Sequence, residues 1–216
     1  MADILKNFGT DQSGWLFMWC LLGFAIFMVA IAIERGYYIM VRSNINASRF
    51  MAEIGKLVKA GDYKRALALC ASAKHKALPQ VVMSGLKKVC ESDTIDFRSI
   101  QNSVDEGTLE VIPKLQERTG FLAMIGNVAT LIGLMGTIYG LIEAFKSVSA
   151  PGIDATMKAQ MLARGISVAM NTTLMGLMIA VPAILFYTFI HNKTVKIIDE
   201  IDEHTVKLIN LITGNQ

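Results

Sequence analysis

Asn171, Thr172 and Thr173 stand side by side inside one of the most apolar stretches of this chain, GISVAMNTTLMGLMIAVPAILFYTFI from Gly165 to Ile190. Amides and hydroxyls at hydrocarbon depth persist only where another helix partners them or where they line a wet path. A second stretch, FLAMIGNVATLIGLMGTIYGLI from Phe121 to Ile142, carries Thr130 and Thr137. With Gly126, Gly133 and Gly140 these recur at steps of four, three, four and three, which sets small and hydroxylated residues on one face of a helix. Gly165, Ala169, Thr173, Gly176, Ala180 and Ala183 form a matching face in the other stretch. Gly136 reads as a further packing position. Two such faces imply helices that approach each other, or a partner, very closely. Small-residue packing explains them without any function; packing combined with a polar conduit is the functional alternative. A threonine bonded across helices contributes only roughly 0.6 kcal/mol on average, a weak reason for placing several there.

Ionisable residues are missing where a relay would need them. No Asp, Glu, Lys, Arg or His lies inside either stretch, and Glu143 sits just past the second. A charge near the bilayer centre costs about 2.5–3.5 kcal/mol on insertion scales, so it marks function where it occurs. If this chain conducts ions, another chain supplies the titratable group.

The surrounding composition says where such helices live. Of 216 residues, 53% are hydrophobic and 18% charged, and the mean hydropathy is +0.44, too apolar for an ordinary soluble domain. The net charge of +3, with no basic cluster interleaved with aromatics, gives no reason to expect nucleic acid. Spans of roughly 20 residues are needed to cross a bilayer, and three are expected, at 15–33, 119–143 and 165–190. The first is read as an anchor rather than a cleaved signal, because its apolar run is long and only Lys6 precedes it against Asp3 and Asp11. Arg35, Arg42 and Arg49 follow that span. The positive-inside bias therefore puts residues 1–14 outside, 34–118 in the cytoplasm, the linker 144–164 outside and 191–216 in the cytoplasm.

The cytoplasmic segment reads as helices throughout. Met51, Ile54, Leu57 and Val58 share a face up to Gly61-Asp62, and Ala66, Leu69 and Cys70 resume it. Pro79 suits a helix start, followed by Val82, Leu86 and Val89. From Ser92 or Asp93, a stripe of Ile100, Val104, Thr108, Val111 and Leu115 is expected to run straight into the second span, with a kink at Pro113. Beyond the third span, Val195, Ile198, Ile201, Thr205, Leu208 and Ile212 make a last stripe. The fold class expected is an all-α membrane protein with long helical extensions.

Enzyme chemistry has little to stand on. His75, His191 and His204 are isolated, no metal spacing or nucleotide-binding glycine loop occurs, and Glu143 reads as interfacial. Cys20, Cys70 and Cys90 are too scattered for a disulfide framework and read as reduced thiols. No cofactor or metal is expected.

GLMGTIYGLIEAF (Gly133 to Phe145) followed by NTTLMGLMIAVPAILFY (Asn171 to Tyr187) resembles the signature of the ExbB/TolQ/MotA family of ion-driven motor subunits. The likeness extends to Glu34-Arg35 after the first span and to AGDYKRALALC (Ala60 to Cys70), and a channel region of about 80–205. Three spans rather than four place the chain beside ExbB and TolQ. The resemblance implies an inner-membrane homopentamer around a pair of single-span ExbD- or TolR-like subunits. An Asp on the partner helix would take the ion, a proton or a sodium ion, and a TonB- or TolA-like protein would receive the motion. It further implies that Thr137 and Thr173 line the ion path, with Pro182 freeing a carbonyl beside it. Thr130 is placed on the same path, and Thr172 and Asn171 either join it or face a neighbouring copy. Val168 stands where several ExbB proteins carry a glutamate, so no mechanism through a third-span carboxylate applies. A passive scaffold remains the competing reading from another class, and a secondary transporter, lacking inverted repeats, the weakest.

Overall fold

The computed structural model describes residues 15–91, 96–149, 152 and 154–214; the expected outer segment 1–14 lies outside the described residues. Every regular element among them is helical. Helix α1 is Trp15–Tyr37, continued by a π-helical turn at Tyr38–Ser43; α2 is Ala47–Lys59, α3 Tyr63–Ser72, α4 Ala77–Glu91, α5 Phe97–Gln116, α6 Thr119–Val148 and α7 Ala155–Thr213. Three helices are long and apolar enough to cross a membrane. The chain is an all-helical membrane protein.

Two compact units divide the chain. The first holds the described residues of Met1–Ile33 and Arg118–Thr188. There α1 buries Met18, Leu21, Met28 and Ile31, a stripe at helical spacing, while Leu16, Ile26, Phe27, Val29 and Ile33 stay exposed. On α6 and α7, large side chains such as Leu131, Ile138, Leu185 and Phe186 are exposed and small ones are buried. That inversion of the water-soluble pattern suits lipid as the solvent.

The second unit holds the described residues of Glu34–Glu117 and Phe189–Gln216. Three of its helix starts are capped: the side chains of Asn46, Asp62 and Asp96 accept from the backbone N–H of Arg49, Arg65 and Ser99, each at 3.1 Å. Helix α2 stops where Gly61 takes φ +73°, with Gly61 N–H donating to the Val58 carbonyl and Asp62 N–H to that of Leu57. Helices α4 and α5 lie antiparallel at glycine distance. A β-carbon at Gly85 would sit 2.7 Å from Val104 Cγ2, and one at Gly107 2.6 Å from Ser84 Oγ. Gly107 therefore takes the buried position expected of Thr108, whose hydroxyl instead donates to the Val104 carbonyl. Ile54, Val81, Val82, Leu86, Ile100 and Leu115 fill the core, each contributing roughly 1.5–3 kcal/mol by burial. Cys70 is buried among them, and desolvation pushes its thiol up to about 12, so it is held protonated and unreactive, whereas Cys20 and Cys90 are exposed.

Two sequence expectations are corrected. The α5 stripe does not run unbroken into the second span: Pro113 cannot donate to the carbonyl four residues back, and the helix ends at Gln116. Arg118, with φ 59°, turns the backbone left-handed before α6 begins. In the last stripe the buried positions are Thr194 and Ile197 rather than Val195 and Ile198. Thr194 Oγ1 donates to the Ile190 carbonyl at 3.0 Å, which makes a buried threonine an acceptable stand-in for valine.

Arg35, first read as a topogenic charge, is 4% exposed. Its guanidinium lies 3.6 Å from Glu34 and 3.7 Å from Glu117, donates to the Lys114 carbonyl at 3.4 Å and stands 5.3 Å from the Tyr38 ring centroid. A fork of donors holds α1 to the end of α5, which a single ammonium cannot reproduce. Arg35→Ala should destabilise the detergent-solubilised protein by about 1.5–3 kcal/mol, with Arg35→Lys recovering less than half. Denaturation by SDS titration measures this, and a wild-type midpoint for Arg35→Ala would remove the clamp.

Candidate functional site: the α6–α7 seam

Helices α6 and α7 meet along the small faces. Gly126, Ala129, Gly133, Gly136, Gly140 and Ala144 are buried on α6, and Ala169, Thr172, Gly176, Ala180 and Ala183 on α7. The approach is close enough to exclude a side chain. A β-carbon at Gly176 would stand 2.6 Å from the Ala129 carbonyl oxygen, one at Gly136 2.6 Å from Thr172 Oγ1 and one at Gly140 2.9 Å from the Ala169 β-carbon. Gly133 and Gly176 touch backbone to backbone, since a β-carbon on either would lie within 3.3 Å of the other's Cα.

Polar groups lock this contact. Thr173 Oγ1 donates across the helices to the Gly133 carbonyl at 2.9 Å. Thr172 Oγ1 donates to the Ala169 carbonyl of its own helix at 2.7 Å and lies 3.4 Å from the same Gly133 oxygen. Thr172 is 1% exposed and packs on Gly136, so it belongs to this seam and not to a contact with a neighbouring copy. The side-by-side trio is thus divided by helical geometry. Asn171 and Thr173 point about 160° apart at 3.6 residues per turn, so they cannot line one path together. Asn171 is half-buried and its amide has no hydrogen-bond partner among the described residues.

On α6 the two threonines sit beside the seam. Thr137 is half-buried and Thr130 exposed; their hydroxyls donate to the Leu134 carbonyl at 2.6 Å and the Gly126 carbonyl at 3.0 Å. Each keeps lone pairs free to accept. Pro182 lies within unbroken α7 and leaves the carbonyl of Met178 without its helical donor. Glu143 is bound by Lys146 Nζ at 2.8 Å, one turn on. Among the described residues no group of His, Cys, Asp or Glu side chains is arranged to hold a metal.

One residue escaped the sequence reading. Asn127, exposed on α6 and without a hydrogen-bond partner among the described residues, continues the flank of Thr130 and Thr137. An amide in an apolar run is the signal that the sequence offers for it.

The MotA/TolQ/ExbB proton channel family matches residues 73–203, more than half of the chain and all of the seam. The chain belongs to this family. Within it, the putative biopolymer transport protein ExbB-like 3 of Synechocystis is 32% identical over 171 residues, covering 77% of this chain and 76% of that one. Biopolymer transport protein exbB1 of Vibrio cholerae is 40% identical over 90 residues, 42% of this chain and 38% of that one. The Tol-Pal system protein TolQ of Haemophilus influenzae is 41% identical over 76 residues, 35% and 32% of the two chains. The fold is that of the Campylobacter jejuni MotAB structure, with a TM-score of 0.66 at 18% identity over 98% of this chain and 81% of that one.

The seam lies wholly within the matched segment, and its geometry can be tested independently. Gly176→Ala, which meets a backbone carbonyl, should cost about 1–3 kcal/mol. Gly23→Ala on α1, where nothing lies within 4 Å, should be neutral or stabilising by up to about 1 kcal/mol. SDS unfolding of the two variants decides it; equal stability of both would mean the seam is looser than described.

Proposed function

We propose that the chain is the channel-forming stator subunit of an ExbB–ExbD-type motor. Five copies would surround a pair of single-span partner subunits, and a proton taken up by an Asp on the partner's helix would cross beside Thr137 and Thr173. The motion would be passed to a TonB-like protein to energise outer-membrane transport. The observation that carries this reading is a matched pair of spans with small, hydroxylated faces and no ionisable residue in either. A proton path needs a titratable group, and this chain leaves it to a partner.

The unpartnered amides of Asn171 and Asn127 support an assembly, because in hydrocarbon each needs an acceptor that another chain would provide. A proton, rather than a sodium ion, is the expected cargo, in line with the family. The TolQ branch is the second reading, favoured by the TolQ relative's identity over the matched segment; the driven process then would be envelope integrity.

Thr137 separates a conduit from a passive scaffold better than Thr173. Its hydroxyl bonds only to its own helix, so alanine leaves packing intact, whereas Thr173 also holds the seam. With the partner co-reconstituted in proteoliposomes, Thr137→Ala should lower proton flux at least about tenfold, one tenfold step being about 1.4 kcal/mol of barrier. Thr173→Ser should retain flux. Full flux from an assembled Thr137→Ala complex would leave the scaffold reading in front.

A further inference from the structure

A basic pocket of about 300 Å³ opens beside the end of α1, lined by Tyr37, Arg42, His75 and Lys76. Two distant pieces of chain build it. The π-helical turn Tyr38–Ser43 carries Arg42, and the turn between α3 and α4 carries the consecutive basic residues Lys74, His75 and Lys76. Lys76 Nζ donates to the Val41 carbonyl and ties the two together. His75 also lines a smaller adjoining cavity with Tyr38, Ser43, Gln80 and Lys114. No carboxylate lines either cavity, and among the described residues neither Arg42, His75 nor Lys76 has an ion-pair partner. Cations that converge on a concave site without neutralisation call for an anion.

Depth and neighbours identify its carrier. The apolar run of α1 ends at Ile33. At 1.5 Å per residue Tyr37 lies about 6 Å beyond it, and Arg42 follows within the more compact π-helical turn. The headgroup layer is roughly 5–8 Å thick on each side, and a helical side chain leans back toward the helix N-terminus, here toward the bilayer. Tyr37, Met40 and Val41 are 63%, 42% and 53% exposed beside the pocket, apolar surface that suits glycerol and upper acyl chain rather than water. An interfacial tyrosine with arginine and lysine is the expected anchor at this level.

We propose that Tyr37, Arg42, His75 and Lys76 form a binding site for the phosphate of an anionic phospholipid in the leaflet next to the Glu34–Glu117 segment. The phosphodiester accepts from Arg42 and Lys76, and the acyl chains lie along the exposed Tyr37, Met40 and Val41. A membrane-surface cation contributes about fivefold in lipid affinity, so two contribute about twenty-fivefold together.

The full chain in nanodiscs of mixed phosphatidylglycerol and phosphatidylcholine, released for native mass spectrometry, tests this. The wild type should retain phosphatidylglycerol at least tenfold over phosphatidylcholine. Arg42→Gln, at a side chain with no hydrogen bond or ion pair among the described residues, should lower retention about fivefold and Arg42→Gln/Lys76→Gln about twenty-fivefold. Lys59→Gln/Lys64→Gln, with equal loss of charge on exposed residues elsewhere, should leave it unchanged. Equal loss in that control would reduce the effect to net charge and overturn the site. Equal retention of both lipids by the wild type would overturn it too, leaving an acidic protein face as the occupant. Displacement of the lipid by millimolar inorganic phosphate would make it a phosphate site instead.

Discussion

The contact on which this structure depends is the backbone approach of α6 to α7 at Gly133 and Gly176. In a bilayer no hydrophobic effect drives helices together, so association relies on dispersion and on hydrogen bonds at short range. Glycine permits that range and threonine exploits it: the Gly133 carbonyl, brought near α7 by the absence of side chains, becomes the acceptor for Thr173. Small faces turned inward leave the large apolar residues of both helices outward, an arrangement that suits lipid as the solvent. A polar flank of Thr137, Thr130 and Asn127 can then lie next to the seam without weakening it, since the hydroxyls are bonded to their own helix.

A second constraint governs the unit outside the apolar spans. There the ordinary water-soluble logic returns, with capped helices, a core of Ile, Leu and Val, and a buried cysteine held protonated. Arg35 is the exception, an almost wholly buried charge whose two carboxylate partners are each about half exposed. Its Nε has no hydrogen-bond partner among the described residues. Removing one member of such a set is destabilising because it leaves its partners without their donor, even where the set as a whole adds little over apolar packing. What Arg35 fixes is the meeting of α1 with the last turn of α5, just before the left-handed turn at Arg118.

Much of this was legible in the residues. Apolar length gave the three spans, Gly61-Asp62 gave the break between α2 and α3, and steps of three and four gave the seam, whereas the caps Asn46 and Asp96 went unread. Failures came where a packed neighbour decides which residue turns inward. Thr194 takes the position expected of Val195 because its hydroxyl, bonded back to its own helix, is no longer polar to its neighbours. Gly107 takes that of Thr108 because α4 approaches too closely at Ser84 for a side chain to fit. Burial of Arg35 and Thr172 was invisible for the same reason: sequence gives a residue's chemistry but not the carbonyls that long-range packing brings within its reach. The pocket at Arg42 and His75 joins residues more than thirty positions apart and had no sequence signal at all.

The central claim is that this chain supplies the walls of a proton path and a partner supplies the titratable group. Proton flux into proteoliposomes tests it directly, comparing the chain alone, the chain with its single-span partner, and the complex with the partner's membrane-embedded Asp replaced by Asn. Flux confined to the complex with the carboxylate intact is the predicted result. Comparable flux through the chain alone, or through the Asn-bearing complex, would contradict it.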